Sequence, residues 1–276
     1  HRLDLLFDGL HPNAEGARLL AATIGEALTG RHGGLRMPAM YTDHMVLQRG
    51  RPIKIEGTAD TGETVTVRIA DRTHSAQAAA DGRWLVTLDT MPAATGLTLE
   101  VATPKRKLRF DDVAVGDVWL CSGQSNMAYP TDSVVLAERA VLRAFAKTHP
   151  AVRLFLMQPS RIPFAEEWEA PMLDSLNRLE YFLPARWEQC DESTVGHFSA
   201  IAMAFAKRIQ ETENVPIGLI LNAVDGSPLE AWIDRETLEA DGPEMLSDFA
   251  SNVLIHPWVR SRTAFNLRRA TSNRQR

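Results

Sequence analysis

Two groups of residues in this chain have the types and spacing of acid–base and nucleophilic chemistry. Asp8 and His11 stand three apart in "FDGLHPNAEGARLLA" (7–21), just ahead of a helical run. Ser125 stands in "VGDVWLCSGQSNMAYP" (115–130), where an apolar strand runs into Ser122-Gly123-Gln124-Ser125-Asn126 and helical sequence soon resumes. A serine hydroxyl becomes a nucleophile only when a base takes its proton, and the base needs an acid to orient it. A tight turn at Gly123 would hold Ser125 at the carboxyl edge of a parallel sheet, where open α/β folds place their sites. N–H groups at the following helix start could then face a developing oxyanion. The spacing leaves a second reading open, an ordinary strand-to-helix connection with Ser and Asn as caps.

The elements that must position these residues change in texture along the chain. Residues 14–28 place Ala17, Leu20, Ala21, Ile24 and Leu28 on one helical face, with Asn13 as N-cap and Gly30 as stop. "TGRHGGLRMP" (29–38) reads as a linker. From about 39 to 112 short β runs follow: "MVLQ", "IKIEG", "ETVTVRIA", "RWLVTLD" and "LTLEVAT". Turn signals separate them, and Val65, Val67 and Ile69 alternate with Thr64, Thr66 and Arg68, so that strand has one wet face. Such strands with no helix between them predict a small antiparallel β-sandwich. After 113 the rhythm is strand–helix–strand: "VWLC", a helix over 134–147, "VRLFLM", a loop over 159–192, a helix over 195–213, "IGLILN" and a helix over 234–250. That alternation predicts a parallel sheet covered on both faces, with a cationic tail and no stop signal at the end.

Composition sets outer bounds. The chain has 276 residues, long enough for two ordinary domains, with a formal net charge of −5 and 24% charged residues of both signs. That balance argues against a nucleic-acid surface, and no apolar run approaches the ~20 residues that span a bilayer. Cys121 and Cys190 are too few for a disulfide framework or a cysteine metal site.

"GDVWLCSGQSNM", with "MPAMYTDHMVLQRGRPIKIEGTAD" upstream, resembles the sialate O-acetylesterase family, carbohydrate esterases of the wider SGNH (GDSL-like) hydrolases. The resemblance continues in order through "ADGRWLVTL", "ARWEQCDESTVGHFSAIAMAFAKRI" and "VPIGLILNAVDGSPLEAWI", over roughly residues 36–238. It implies an SGNH-type three-layer α/β/α hydrolase domain over 113–276, apparently incomplete at its C-terminus, with an N-terminal antiparallel β-sandwich over 36–112. It also implies Ser125 as acyl-accepting nucleophile, and removal of O-acetyl groups from sugars by a two-step ester hydrolysis without metal or cofactor. Gly226, Gln124 and Asn126 become the oxyanion- and substrate-binding candidates, beside the Ser125 N–H. The implied partner is an O-acetylated carbohydrate such as a sialic acid or acetylated xylan, with no nucleic acid and no membrane span. Glycan-degrading relatives imply export to the periplasm or exterior.

The chain departs from the family pattern at three places. Asp225 replaces the first glycine of the usual Gly-Gly-Ser/Thr-Pro block, and a carboxylate beside an oxyanion would be repulsive unless it points away. Glu230 and Trp232 are expected to pack and orient that loop. The Gly-Glu-Ser-Asn-like block and the family's late Asp-x-x-His are not found, and are expected beyond Arg276. Asp8/His11 looks like that final SGNH block, in which histidine is the base and aspartate its orienter, yet it precedes Ser125. Residues 1–30 are thus read as the closing segment of an upstream SGNH domain, as a permuted segment serving Ser125, or as a capped helix with an incidental pair. A homo-oligomer is a further possibility for its partner. The rival to an enzyme is a non-catalytic carbohydrate-binding or assembly fragment without a complete triad.

Among other residues, His44 belongs to the sandwich signature and is expected to be structural. His32, His74, His149, His197 and His256 have no metal spacing. Cys121 reads as a small core residue. Trp258 and Arg260 suit either a sugar cleft or loop anchoring.

Overall fold

The structure is a computed structural model that describes residues 13–160, 169, 171–172, 175, 180–251, 253, 257, 260–262, 264–266 and 268. By its internal packing the chain divides into one unit of residues 20–157 and 184–223, and another of 1–19, 158–183 and 224–276.

Helix α1 (Ala14–Thr29) starts and stops where its caps require. The Asn13 side chain accepts the Gly16 N–H at 2.9 Å, and Gly30, at φ +65°, donates to Glu26 O. The apolar stripe of this helix is open: Leu20, Ile24 and Leu28 are all exposed, Leu28 at 81%.

The first unit begins with short strand β1 (Val46–Gln48), followed by β2 (Ile53–Thr58), β3 (Thr64–Ile69), β4 (Arg72–Gln77), β5 (Arg83–Leu88) and β6 (Ala94–Ala102). Strand β7 (Lys107–Gly123) runs for 17 residues, straight through the point where the sequence changes texture. β2 and β5 form an antiparallel pair, and β4, β3, β6 and β7 lie side by side in a second sheet. The alternation read in β3 is what the fold uses. Val65, Val67 and Ile69 are fully buried, in one apolar cluster with Ile55, Trp84, Leu88, Leu99 and Val113. Strand β4, "RTHSAQ", carries no buried side chain and so gave no apolar signal.

The second half of β7 changes partners. Asp117–Gly123 pairs in parallel with β10 (Ile217–Ala223), which pairs in parallel with β8 (Val152–Leu156). β9 (Trp187–Gln189) closes that edge antiparallel to β8. After β7 come α2 (Ser125–Ala128) and α3 (Leu136–Thr148); α4 (Ala200–Glu213) precedes β10. Cys121, Val152, Leu154, Leu219 and Leu221 share a core with Leu142 and Phe145 of α3 and Met203 of α4. Phe155 and Trp187, on the opposite face, belong to the sandwich cluster, with Val118 and Ile220 packed against it. One face of the parallel sheet is therefore covered by helices and the other partly by the cluster of strands β2 to β7, a mixed α/β architecture. The helix expected from 195 begins at Ala200, because Ser199 caps it by accepting Ala202 N–H at 3.1 Å. A single 3₁₀ turn occupies Val195–His197.

In the other unit, the helix expected over 234–250 is two helices, α5 (Arg235–Asp241) and α6 (Pro243–Ala250). Pro243 explains the break. It lacks the N–H that would continue the ladder, and it keeps Gly242 out of the helical region.

Candidate active site

Ser125 owes its position to the end of β7. Register pairs Ser122 with Asn222 and Gly123 with Ala223, so the strand stops at the carboxyl edge of the parallel sheet. Gly123 adopts φ +147°, a conformation side chains disfavour, and turns the chain into α2 within one residue. Ser125 opens that helix, with Gln124, Ser125 and Asn126 all exposed. The Gln124 side-chain oxygen Oε1 accepts the Ser125 backbone N–H at 3.0 Å and also the Ser125 Oγ hydroxyl.

The segment after α2 is pinned to the start of α4. Thr131 is fully buried, and its N–H and hydroxyl both donate to Phe198 O, at 2.9 and 3.0 Å. Ala200 N–H donates to Tyr129 O at 2.9 Å, and the Ser199 hydroxyl reaches Met127 Sδ at 3.6 Å. Asp132 forms an ion pair with Arg143 of α3 at 2.6 Å, and Arg143 also donates to Glu192 O. Gly196 makes this clamp possible, because a Cβ there would lie 2.6 Å from Asp132 Oδ2. The Ser125 loop thus hangs from a rigid strand on one side and a tied loop on the other, the support that precise positioning needs.

The structure brings Ser125, Gln124 and Asn126 together. Gly226 lies in the other unit, in a turn at φ +70° where Ser227 N–H donates to Val224 O at 3.2 Å. Trp232 Nε1 donates to Ser227 Oγ at 2.9 Å, the loop-orienting contact expected of it. Asp225 beside Gly226 is exposed. Asp8 and His11 lie outside the described residues, as do His256 and Trp258; Arg260 is exposed. Among the described residues no three His, Cys, Asp or Glu side chains converge as metal ligands. Cys121 is buried one strand position before Ser122, and burial pushes its thiol up to about 11, far from a reactive thiolate. Two cavities, of about 320 and 530 Å³, are lined by residues 38–56 and 186–194 with Val118 and Ile220. Neither is lined by Ser125.

Sequence reading missed a charged hub among the strands β7, β8 and β9. Asp112, at φ +50°, receives His44 Nδ1 at 2.7 Å, Gln189 Nε2 at 2.7 Å and Arg153 Nη2 at 2.9 Å, all on Oδ2. Burial pushes this carboxyl up, but the hydrogen bonds from His44 and Gln189 and the charge of Arg153 outweigh it. The group ends below the usual aspartate range. His44 itself sits at φ +66°, so its structural role includes holding a left-handed turn against β7. Arg153 was hidden in the apolar run "VRLFLM", where a lone cation carries no signal of a partner 41 residues away. Asn222 was also unforeseen; its Oδ1 is buried without a hydrogen-bond partner among the described residues, at the position paired with Ser122.

The sequence pattern of the carbohydrate esterase family of sialic acid-specific acetylesterases matches residues 115–242. The chain is 32% identical over 228 residues to the sialate O-acetylesterase of Pongo abelii, covering 76% of this chain and 40% of the relative. It has the same identity and coverage against the sialate O-acetylesterase of Homo sapiens. The chain thus spans about 40% of the length of these relatives. A crystal structure of a carbohydrate acetylesterase from Xanthomonas citri superposes with a TM-score of 0.62 at 27% identity, over 75% of this chain and 44% of that one. The matched stretch begins inside β7 and includes Ser125, the clamp of Thr131 and Asp132, and the Gly226 turn.

Proposed function

We propose that this chain, which belongs to the sialate O-acetylesterase family of carbohydrate esterases, hydrolyses acetyl esters of sugars with Ser125 as nucleophile. The observation that carries the proposal is the exposed Ser125 on a glycine turn at the carboxyl end of a parallel strand, inside the matched stretch. In this reading the Ser125 Oγ attacks the acetyl carbonyl carbon as a base removes its proton. The carbonyl oxygen becomes an oxyanion that accepts the Ser125 N–H. Collapse expels the sugar oxygen, which takes the proton from the base, and leaves an acetyl ester on Ser125. Water, deprotonated by the same base, then attacks that ester and releases acetate.

His11, oriented by Asp8, is the base of this reading where residues 1–30 serve Ser125; the alternatives are that the pair serves the serine of an upstream SGNH domain, or that it is incidental to a capped helix. The organisation that accompanies it is a β-sandwich over 36–112 and an SGNH-type hydrolase domain over 113–276, incomplete at its C-terminus, with 1–30 as the closing segment of an SGNH hydrolase domain. The test is acetate release by the 276-residue chain from an O-acetylated sialic acid and from 4-nitrophenyl acetate. Turnover of both, lost in Ser125→Ala, is the expected result. Sugar binding without any acetate release would instead establish a carbohydrate-binding role.

A further inference from the structure

The Gln124 side chain occupies both groups of Ser125 that the proposed reaction needs. Its Oε1 accepts the Ser125 N–H, the proposed oxyanion donor, at 3.0 Å and also accepts the nucleophilic hydroxyl. The acceptor atom is the amide oxygen, because a backbone N–H can only donate. An amide oxygen is too weak a base to take a hydroxyl proton, so this contact holds Ser125 without activating it. It also resembles what it must give way to, since a neutral carbonyl oxygen bonded to the Ser125 N–H is the arrangement a substrate acetyl group would adopt. Gln124 is exposed and sits on the turn after Gly123, so its side chain can leave without unpacking a core. Asn126, the other exposed amide of the turn, has no such contact with Ser125.

We infer that Gln124 is a positioning residue that gates Ser125. Its amide oxygen acts as an internal stand-in for the ester carbonyl and must be displaced before substrate binds and the hydroxyl turns to its base. The inference rests on Ser125 being the nucleophile. Its consequence is an unusual order of reactivity: removing the side chain speeds the first step. Loss of two modest hydrogen bonds to the occluding oxygen corresponds to about a tenfold gain. A carboxylate in its place is the stronger acceptor and repels a developing oxyanion.

The test is the second-order rate at which a small organophosphorus fluoride phosphonylates the intact chain, with the adduct located by mass spectrometry. In that step the serine oxygen bonds to phosphorus, fluoride leaves and the hydroxyl proton goes to the base. The expected order is Gln124→Ala about tenfold faster than wild type and Gln124→Glu slower than wild type. The KM for 4-nitrophenyl acetate is expected to fall in Gln124→Ala. A merely structural cap predicts the reverse, with the alanine variant worst. Wild-type labelling at Ser125 with Gln124→Ala no faster overturns the gate and leaves the nucleophile intact. No labelling of wild type or either variant above the Ser125→Ala background refutes the nucleophile, and the gate with it. Gln124→Ser serves as second small variant, with the same expected direction.

Discussion

Replacing Asp112 by asparagine removes the charge of the hub while keeping its shape and its left-handed backbone, which asparagine tolerates at φ +50°. Arg153 is the residue that suffers. Its side chain is 4% exposed, against 30% for Asp112, and its Nε and Nη1 already have no hydrogen-bond partner among the described residues. Breaking a fully buried ion pair costs about 3–5 kcal/mol, because the remaining charge stays in a poor solvent. Water reaches Asp112 in part and asparagine still offers one oxygen, so about 2–3 kcal/mol is the expected loss here. At about 2–4 °C per kcal/mol for a unit of this size, the melting temperature should drop by roughly 5–10 °C. Urea unfolding should show a lower midpoint at unchanged slope. Arg153→Met in the same background removes the stranded cation, and the double variant should recover to within about 1 kcal/mol of wild type. A loss below about 0.5 kcal/mol in Asp112→Asn, or simple additivity of the two substitutions, would refute this account of the hub.

Other outcomes follow from the same contacts. Asp112 stands below its unfolded pKa, so its contribution is present above pH ~4 and is lost as pH falls through the folded value. Unfolding free energy measured from pH 6 down to pH 2 should fall less steeply in Asp112→Asn. Gly196→Ala drives a methyl into Asp132 and loosens the clamp behind α2. Esterase turnover should fall about tenfold or more, since misplacing a reacting group by an ångström is that costly, while unfolding shifts by only about 1–2 kcal/mol. Cys121 should resist iodoacetamide in the native chain at pH 8 and react on unfolding in urea, because burial pushes its thiol up to about 11.

How much of this was legible in the sequence depends on whether a feature is local. The β3 alternation, the Asn13 and Gly30 caps and the strand–turn–helix around Ser125 are set within a few residues, and all were readable. The 17-residue run of β7 was not. Its halves, "KLRFDDVAV" and "GDVWLCSG", differ in texture because one lies in an antiparallel sheet and the other in a parallel one. Strand β4 escaped notice because all its side chains but that of Ala76 are polar and none is fully buried, so pairing with β3 is what makes it a strand. The Asp112 hub joins residues from β7, β8, β9 and the turn before β1, a convergence no spacing rule encodes. Gly242-Pro243 was a readable stop signal that the apolar periodicity around it obscured.

The most direct test of the central claim is to quench the chain in acid during turnover of excess 4-nitrophenyl acetate and map the adduct by peptide mass spectrometry. An acetyl group on Ser125, absent from Ser125→Ala together with a loss of turnover of about 10³-fold or more, is the predicted result. Undiminished turnover in Ser125→Ala, or an acetyl group carried by any other residue of the working enzyme, would contradict it.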